Sequence, residues 1–399
     1  MENKLIKRPN YLRQLIEFRD KDLIKVITGI RRSGKSTLFE LYKNYLMRTG
    51  VSSSQIISIN LEQAEFNSLT TSQNLYDHIE KRLVKGQMNY VFIDEVQQIE
   101  GFQKACDNLY VKDNVDLYIT GSNASLLSGE LATLLSGRYI EIKMMPLSFR
   151  EYISAVGKED LVKKYNDYIS QGAFPYLLYL NTEADKRAYL DGLYNTIIVK
   201  DIAKRRGITN ITQLETVIRY IFDNIGNESS STNIANILKK ANKTVSAPTI
   251  DNYLKYLTES FVIYRADRYD IKGKQLLENS PKYYVTDLGL RNYLLGNGST
   301  DYGHILENVV FLELLRKGYD IRVGRTDKNE VDFIVKTEKG LEYIQVAYTA
   351  IEEKTLEREL SSLRAINDGY PKLLLTMDQV PEADFDGIKR LNVLEWLLK

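Results

Sequence analysis

Residues 29–38 read GIRRSGKSTL and follow the apolar run LIKVI, Leu23–Ile27. Gly29, four residues, then Gly34-Lys35-Ser36 give the pattern G-x-x-x-x-G-K-[ST], whose chemistry needs a strand before it and a helix after it. The helix is written in the residues that follow, because Leu38, Leu41, Tyr42 and Tyr45 recur at spacings of three and four. Glycines let backbone N–H groups turn towards phosphate oxygens, and the N-terminal end of the next helix adds positive potential at the same place. A nucleotide cradle is therefore predicted from Gly29, Arg32, Ser33, Gly34, Lys35, Ser36 and Thr37, with ATP as ligand. Lys35 would reach the β- and γ-phosphates, and the Ser36 hydroxyl would be a ligand of Mg²⁺.

Composition limits what else such a chain can be. With 399 residues it is long enough for two or three cores, and 43% hydrophobic and 27% charged residues are ordinary for a globular protein. Two histidines rule out a histidine-rich zinc site, and the single cysteine, Cys106, rules out an internal disulfide. Cys106 sits among apolar neighbours and is expected to be a buried, inert thiol. The start, MENKLIKRPNYLRQL, lacks the apolar core of a secretory signal, no membrane span is evident, and a cytoplasmic location is expected. At a net charge of +1, contact with nucleic acid has to come from local basic patches.

A hydrolytic site needs a strand ending in acids, and NYVFIDEVQ provides one, with Asp94 and Glu95 at its C-terminal end. Asp94 is expected to hold the Mg²⁺ and Glu95 to deprotonate the attacking water. The strand VDLYITGSN ends in Thr120, Ser122 and Asn123, and Asn123 is placed to touch the γ-phosphate or the lytic water. Arg138, in LSGRYIEI, is a candidate for stabilising transition-state charge from a neighbouring subunit, which implies a homo-oligomer. Asn60, at the end of IISIN, is a candidate to hydrogen-bond Glu95 and hold it idle.

GIRRSGKST, VFIDEVQ, YITGSN and LSGRYIEI, in this order, resemble the prokaryotic AAA-type ATPases of the archaeal-ATPase-like group that carry a C-terminal domain of unknown function. QGAFPYLL, KYYVTDLGLRNYL and LENVVFLELLRKGYDI extend the resemblance over nearly the whole chain. The resemblance implies an additional-catalytic-glutamate ATPase, a winged-helix middle domain and a C-terminal domain similar to the PD-(D/E)XK nuclease fold. The expected fold class is thus α/β: a P-loop AAA-type parallel sheet with a helical lid, a winged helix-turn-helix and a C-terminal α/β restriction-endonuclease-like domain. Expected boundaries are 1–146 for the ATPase domain, 147–225 for the lid, 226–300 for the winged helix and 301–399 for the nuclease-like domain.

Helical periodicity after Pro146 supports the lid, whose basic run is Lys200, Lys204, Arg205 and Arg206. TNIANILKKAN and SAPTIDNYLKYLTES read as two short helices, the second capped by Ser246 and buried through Ile250, Tyr253, Leu254 and Leu257. A strand pair follows, with Arg265, Arg268, Lys272 and Lys274 as wing residues near phosphates. In the last segment Glu307, Asp332 and Gln345 stand where a metal-dependent nuclease needs its acids, but Ala347 occupies the lysine position, so the nuclease-like site is read as degenerate, with Lys336 the nearest substitute. The functional expectation is Mg²⁺-dependent ATP hydrolysis coupled to conformational change on DNA. The alternatives are a nucleotide-gated switch that binds a protein partner and an ATP-coupled nuclease.

Overall fold

The computed structural model describes residues 5–127, 135, 137–296, 301–326 and 329–399. The chain divides into two compact units, residues 1–146 with Glu259–Phe261, and residues 147–258 with 262–399.

In the first unit, helix α1 (Pro9–Glu17) precedes strand β1 (Ile24–Thr28), helix α2 (Lys35–Arg48), β2 (Ile56–Asn60), α3 (Ser72–Glu80), β3 (Asn89–Asp94), α4 (Phe102–Tyr110), β4 (Val115–Gly121) and β5 (Tyr139–Lys143). The strands form one parallel sheet in the order β2-β3-β4-β1-β5. Parallel strands joined by helices are covered on both faces, which is why β1 and β3 are buried along their whole length. One core cluster lies against α3 and α4 around Val91, Ile93, Ile119 and Leu109. Another lies against α1 and α2 around Leu15, Leu38, Tyr42 and Phe92. Cys106 is in the core, where burial pushes its thiol up to about 12. The run LIKVI conceals one charge: Lys25 is fully buried and meets Asp116 Oδ1 at 2.5 Å. Tyr118 donates to the other oxygen of Asp116 and meets Tyr42 hydroxyl to hydroxyl at 2.9 Å.

The second unit opens with helices α5 (Phe149–Val156), α6 (Leu161–Gln171) and α7 (Glu183–Asn195), the last continuing into nine residues of π-helix, Thr196–Lys204. Helices α8 (Ile211–Asp223), α9 (Ser231–Lys240) and α10 (Ala247–Glu259) follow. Ser246 accepts a hydrogen bond from Thr249 N as the cap of α10, and Ile250, Tyr253, Leu254 and Leu257 are its buried face. Then come β6 (Ile263–Asp270), β7 (Gln275–Val285), α11 (Leu288–Leu295), α12 (Tyr302–Arg316), β8 (Asp320–Arg325), β9 (Glu330–Thr337), β10 (Gly340–Ala347), α13 (Glu353–Arg364), β11 (Lys372–Thr376), β12 (Ala383–Phe385), β13 (Ile388–Asn392) and α14 (Val393–Leu398).

Here the structure departs from the sequence reading. The hairpin β6–β7, expected as the wing of a separate domain, is the edge of an eight-stranded sheet ordered β12-β13-β11-β10-β9-β8-β6-β7. Parallel pairing of Arg268 with Val323, Tyr269 with Gly324 and Asp270 with Arg325 makes the join. Strands β11 to β13, which follow α13, belong to the same sheet. Arg268, expected near phosphates, is buried at 5% exposure and paired with Glu228 at 2.7 Å, because it stands between two hydrogen-bonded neighbours in the sheet. The expected boundary at residue 300 and Ser136 of LSGRYIEI lie outside the described residues.

Two of the segments that carried the resemblance are locked together in the second unit. Asp287 caps α11 by accepting from Leu290 N at 2.8 Å and, across the loop QGAFP, from Ala173 N at 2.6 Å. Burial pushes its carboxyl up to about 6 against those hydrogen bonds. Gly289 faces the same loop so closely that a Cβ would overlap Gln171 O and sit 2.5 Å from Gly172 Cα. Neither neighbour is the end of a flexible side chain, so the backbone has to yield. Gly289→Ala is expected to lower stability by about 2 kcal/mol in denaturant titration, a typical cost of overfilling a packed site. Gly296→Ala, with open space around its Cβ but a positive φ, serves as the strain-only comparison.

Candidate functional site

The loop between β1 and α2 starts against the end of β5. Met144 N donates to Thr28 O at 2.7 Å, and at the next residue, Gly29, φ is +148° and a Cβ would overlap the Met144 carbonyl oxygen and lie 2.9 Å from its carbon. Only glycine fits. Arg32 (φ +65°) and Gly34 (φ +102°) turn the chain into α2, with Gly34 at the cap position. Arg8, buried at 2% exposure, fastens the loop from outside: one guanidinium nitrogen donates to Ser33 O at 2.9 Å and another to Met145 O at 2.6 Å. The sequence gives no signal for this strut beyond a charged residue before Pro9.

Lys35 is buried and folded back, donating from Nζ to Gly29 O at 2.9 Å and Ile30 O at 3.2 Å, with Glu95 Oε1 at 3.9 Å. Asp94 is 5% exposed and Glu95 7%. Thr120 on β4 joins the two acids, since its hydroxyl donates to Asp94 Oδ1 and accepts from Glu95 N at 2.9 Å. Burial pushes the Asp94 carboxyl up, and hydrogen bonds from Ser36 and Thr120 together with the nearby Lys35 charge oppose that rise. Glu95 has a left-handed backbone, φ +55°, which turns its side chain off the end of β3.

Asn60 does not hold Glu95. Its amide donates to Asp94 Oδ2 at 3.3 Å, as the parallel register that puts Asn60 beside Asp94 dictates. The partner of Glu95 is Gln97, whose amide donates to Oε2. Asn123 is buried, with its amide 3.5 Å from Ser260 Oγ. Arg138 lies at the other end of the sheet: β5 runs parallel to β1 with Tyr139 beside Ile24 and Lys143 beside Thr28. Five residues of strand, roughly 16 Å, separate it from the loop. There it pairs with Asp107 at 2.6 Å and stacks over Tyr110. It cannot serve the site of its own chain.

The residues present fit a nucleotide and a hard cation. Ser33 Oγ, in the loop itself, is buried without a hydrogen-bond partner. Asp94 and Ser36 already share a hydrogen bond that a cation between them would replace. Among the described residues no group of three or more His, Cys, Asp and Glu can hold a metal alone, so its remaining ligands would be water and phosphate oxygens.

A parallel sheet with this loop and this pair of acids defines a class, the P-loop ATPase domain of AAA type. Residues 21–153 match the family described as AAA domain, and residues 162–301 match a domain of unknown function. An uncharacterized protein of Haemophilus influenzae is 42% identical over 404 residues, 100% of both chains. One of Methanocaldococcus jannaschii is 31% identical over 362 residues, 86% of this chain and 79% of the other. The chain belongs to this family of AAA-domain proteins. Among solved structures, the Walker-type ATPase of Pyrococcus abyssi is similar in fold, with TM-score 0.50 and 16% identity over 73% of this chain and 97% of that one. No helix among the described residues is long and apolar enough to cross a membrane.

The second unit holds another buried charged cluster. Glu307 on α12, Asp332 on β9 and Gln345 on β10 do converge, each under 9% exposed. Lys336 is exposed and takes no part. The lysine beside these acids is Lys282 of β7, buried, 3.1 Å from Glu307 and 2.6 Å from Glu330. Tyr284 donates to Glu307 at 2.6 Å, Val346 N donates to Asp332 at 2.8 Å, and Gln345 bridges Asp332 N and Glu359. Burial and the Glu307 charge push Asp332 well up, while Lys282 opposes that rise.

Removing Lys282 leaves its carboxylates uncompensated. Lys282→Met is expected to cost about 3 kcal/mol of stability at pH 8. A carboxyl whose pKa is raised by folding weakens the fold as pH climbs from its unfolded value near 4 to its folded value. Losing the opposing lysine strengthens that dependence, so the deficit should shrink when unfolding is measured at pH 5.

Proposed function

We propose that the chain is a Mg²⁺-dependent ATPase whose cycle changes the conformation of the second unit, and that it acts on DNA. The observation that carries the ATPase reading is the joint placement of Lys35, Ser36, Asp94 and Glu95 around one loop, with Thr120 fixing both acids. Lys35 exchanges the carbonyls of Gly29 and Ile30 for phosphate oxygens, which it holds along with backbone N–H groups of Arg32, Ser33, Gly34, Lys35, Ser36 and Thr37. Ser36 and Asp94 hold the cation, which when bound neutralises charge on the phosphate oxygens. Glu95 takes the proton of the attacking water, and Asn123 orients water or γ-phosphate. Because Arg138 lies far from its own loop, it acts on the site of a neighbouring copy, which requires a homo-oligomer.

Support for DNA comes from exposed basic and polar groups of the second unit: Lys200, Lys204 and Arg205 on the helical segment, Asn252 and Lys255 on α10, and Lys272 and Lys274 at the hairpin turn. One observation favours a second reading, a nucleotide-gated switch that binds a protein partner. Arg268 is buried and Arg265 is paired with Asp267 at 2.7 Å, so two of the four expected wing cations are neutralised.

Lys35→Ala is expected to abolish nucleotide binding. Glu95→Gln should bind ATP and turn it over at least about 100-fold more slowly, the usual scale for losing a general base. Turnover measured alone and with duplex, single-stranded and branched DNA separates the readings. A several-fold rise that weakens with salt supports action on DNA. Indifference to every nucleic acid supports the protein-binding switch.

A further inference from the structure

Each carboxylate oxygen of Glu95 has its own neighbour. Oε1 faces Lys35 Nζ at 3.9 Å, and Oε2 accepts from Gln97 Nε2. The same amide nitrogen points at Ser122 Oγ, 3.4 Å away, just past the end of β4. Gln97 Oε1 is buried with no hydrogen-bond partner. Charge fixes this orientation, since turning the amide over would set its oxygen against a carboxylate oxygen. Gly121 makes the room: a Cβ there would lie 3.0 Å from Gln97 Oε1 and closer still, 2.7 Å, to a methyl of Leu126.

We propose that Gln97 is a positioning residue that keeps Glu95 from acting as a base until the end of β4 engages the γ-phosphate, and that Ser122 is the group through which that engagement is felt. The proposal rests on the ATPase reading and deepens it. A general base needs an oxygen free to accept from the water it deprotonates. The amide donating to Oε2 and the ammonium group facing Oε1 both stabilise the carboxylate as an anion, so in this state each oxygen of Glu95 is a weaker base towards water than a free carboxylate. A nucleotide draws Lys35 away to its phosphates, and Gln97 then becomes the remaining restraint. Its two N–H donors serve Glu95 and Ser122 together, so a γ-phosphate that takes Ser122 or Asn123 removes one of the two anchors. The unsatisfied Oε1 favours departure, because any new position that finds it a donor is better than the present one. The role expected of Asn60 is thus filled from the residue two places after Glu95, inside the strand-end segment itself.

The test uses the full chain with Mg²⁺ and ATP over pH 5.5 to 9, comparing wild type, Gln97→Ala and Gln97→Glu, with Lys35→Ala as the blank. Gln97→Ala should raise basal turnover roughly three- to tenfold, a fraction of what a general base supplies. Gln97→Glu should move the acid limb of the pH profile to higher pH, because a like charge beside Glu95 favours its protonated form. Affinity for a non-hydrolysable ATP analogue should stay within about twofold of wild type in both, and turnover of Gln97→Ala should lose its gain in a Glu95→Gln background. Without nucleotide, the melting-temperature effects of Gln97→Ala and Glu95→Gln should be non-additive. Turnover of Gln97→Ala at or below that of an active wild type, or additive melting effects, overturns the proposal alone. A wild type no faster than Lys35→Ala overturns the ATPase reading as well.

Discussion

The carbonyl of Met144 lies where residue 29 would carry a side chain, and the first unit is arranged around that approach. Because β5 ends against the start of the loop, the strand order that puts β1 between β4 and β5 also decides where phosphate can enter. Arg8 closes the arrangement by holding Ser33 O and Met145 O with one side chain. The loop is therefore gripped at its first glycine and again at its serine. Preorganisation of this kind lowers the ordering cost of binding an anion, which is the physical reason for burying a guanidinium to support a turn.

Thr120 does for the acids what Arg8 does for the loop. One hydroxyl, donating to Asp94 and accepting from Glu95 N, fixes the proposed metal-binding carboxylate and the proposed base relative to each other and ties both to β4. Since Ser122 and Asn123 follow on the same strand end, they are linked to Asp94 and Glu95 through covalent and hydrogen-bonded connections only a few residues long.

What could be read from the sequence was what is local in it. The loop, the strand ending in Asp94 and Glu95, and the capped face of α10 are each written within about a dozen consecutive residues, at periods that backbone geometry fixes. What escaped depends on pairing between distant segments. Choosing Gln97 over Asn60 requires knowing that Asn60 sits beside Asp94 rather than beyond it. Lys282 joins acids 25 and 48 positions away, and no spacing rule links a β7 lysine to a glutamate at the start of β9. Lys25 was hidden for the opposite reason. A strand written LIKVI is correct as a strand, but only the packed sheet brings Asp116 to its ammonium group.

The parallel junction of β6 with β8 has a consequence for how the chain is made. Every strand of the first sheet has been synthesised by Lys143, so that sheet can close while most of the polypeptide is still to be translated. The larger sheet cannot. Its interior strand β13 ends only at Asn392, and until it arrives β11 has an open side. Emerging β6, already paired with β7 on one side, must wait for β8, encoded some fifty residues later, with its other edge unpaired and of the kind that recruits holding chaperones.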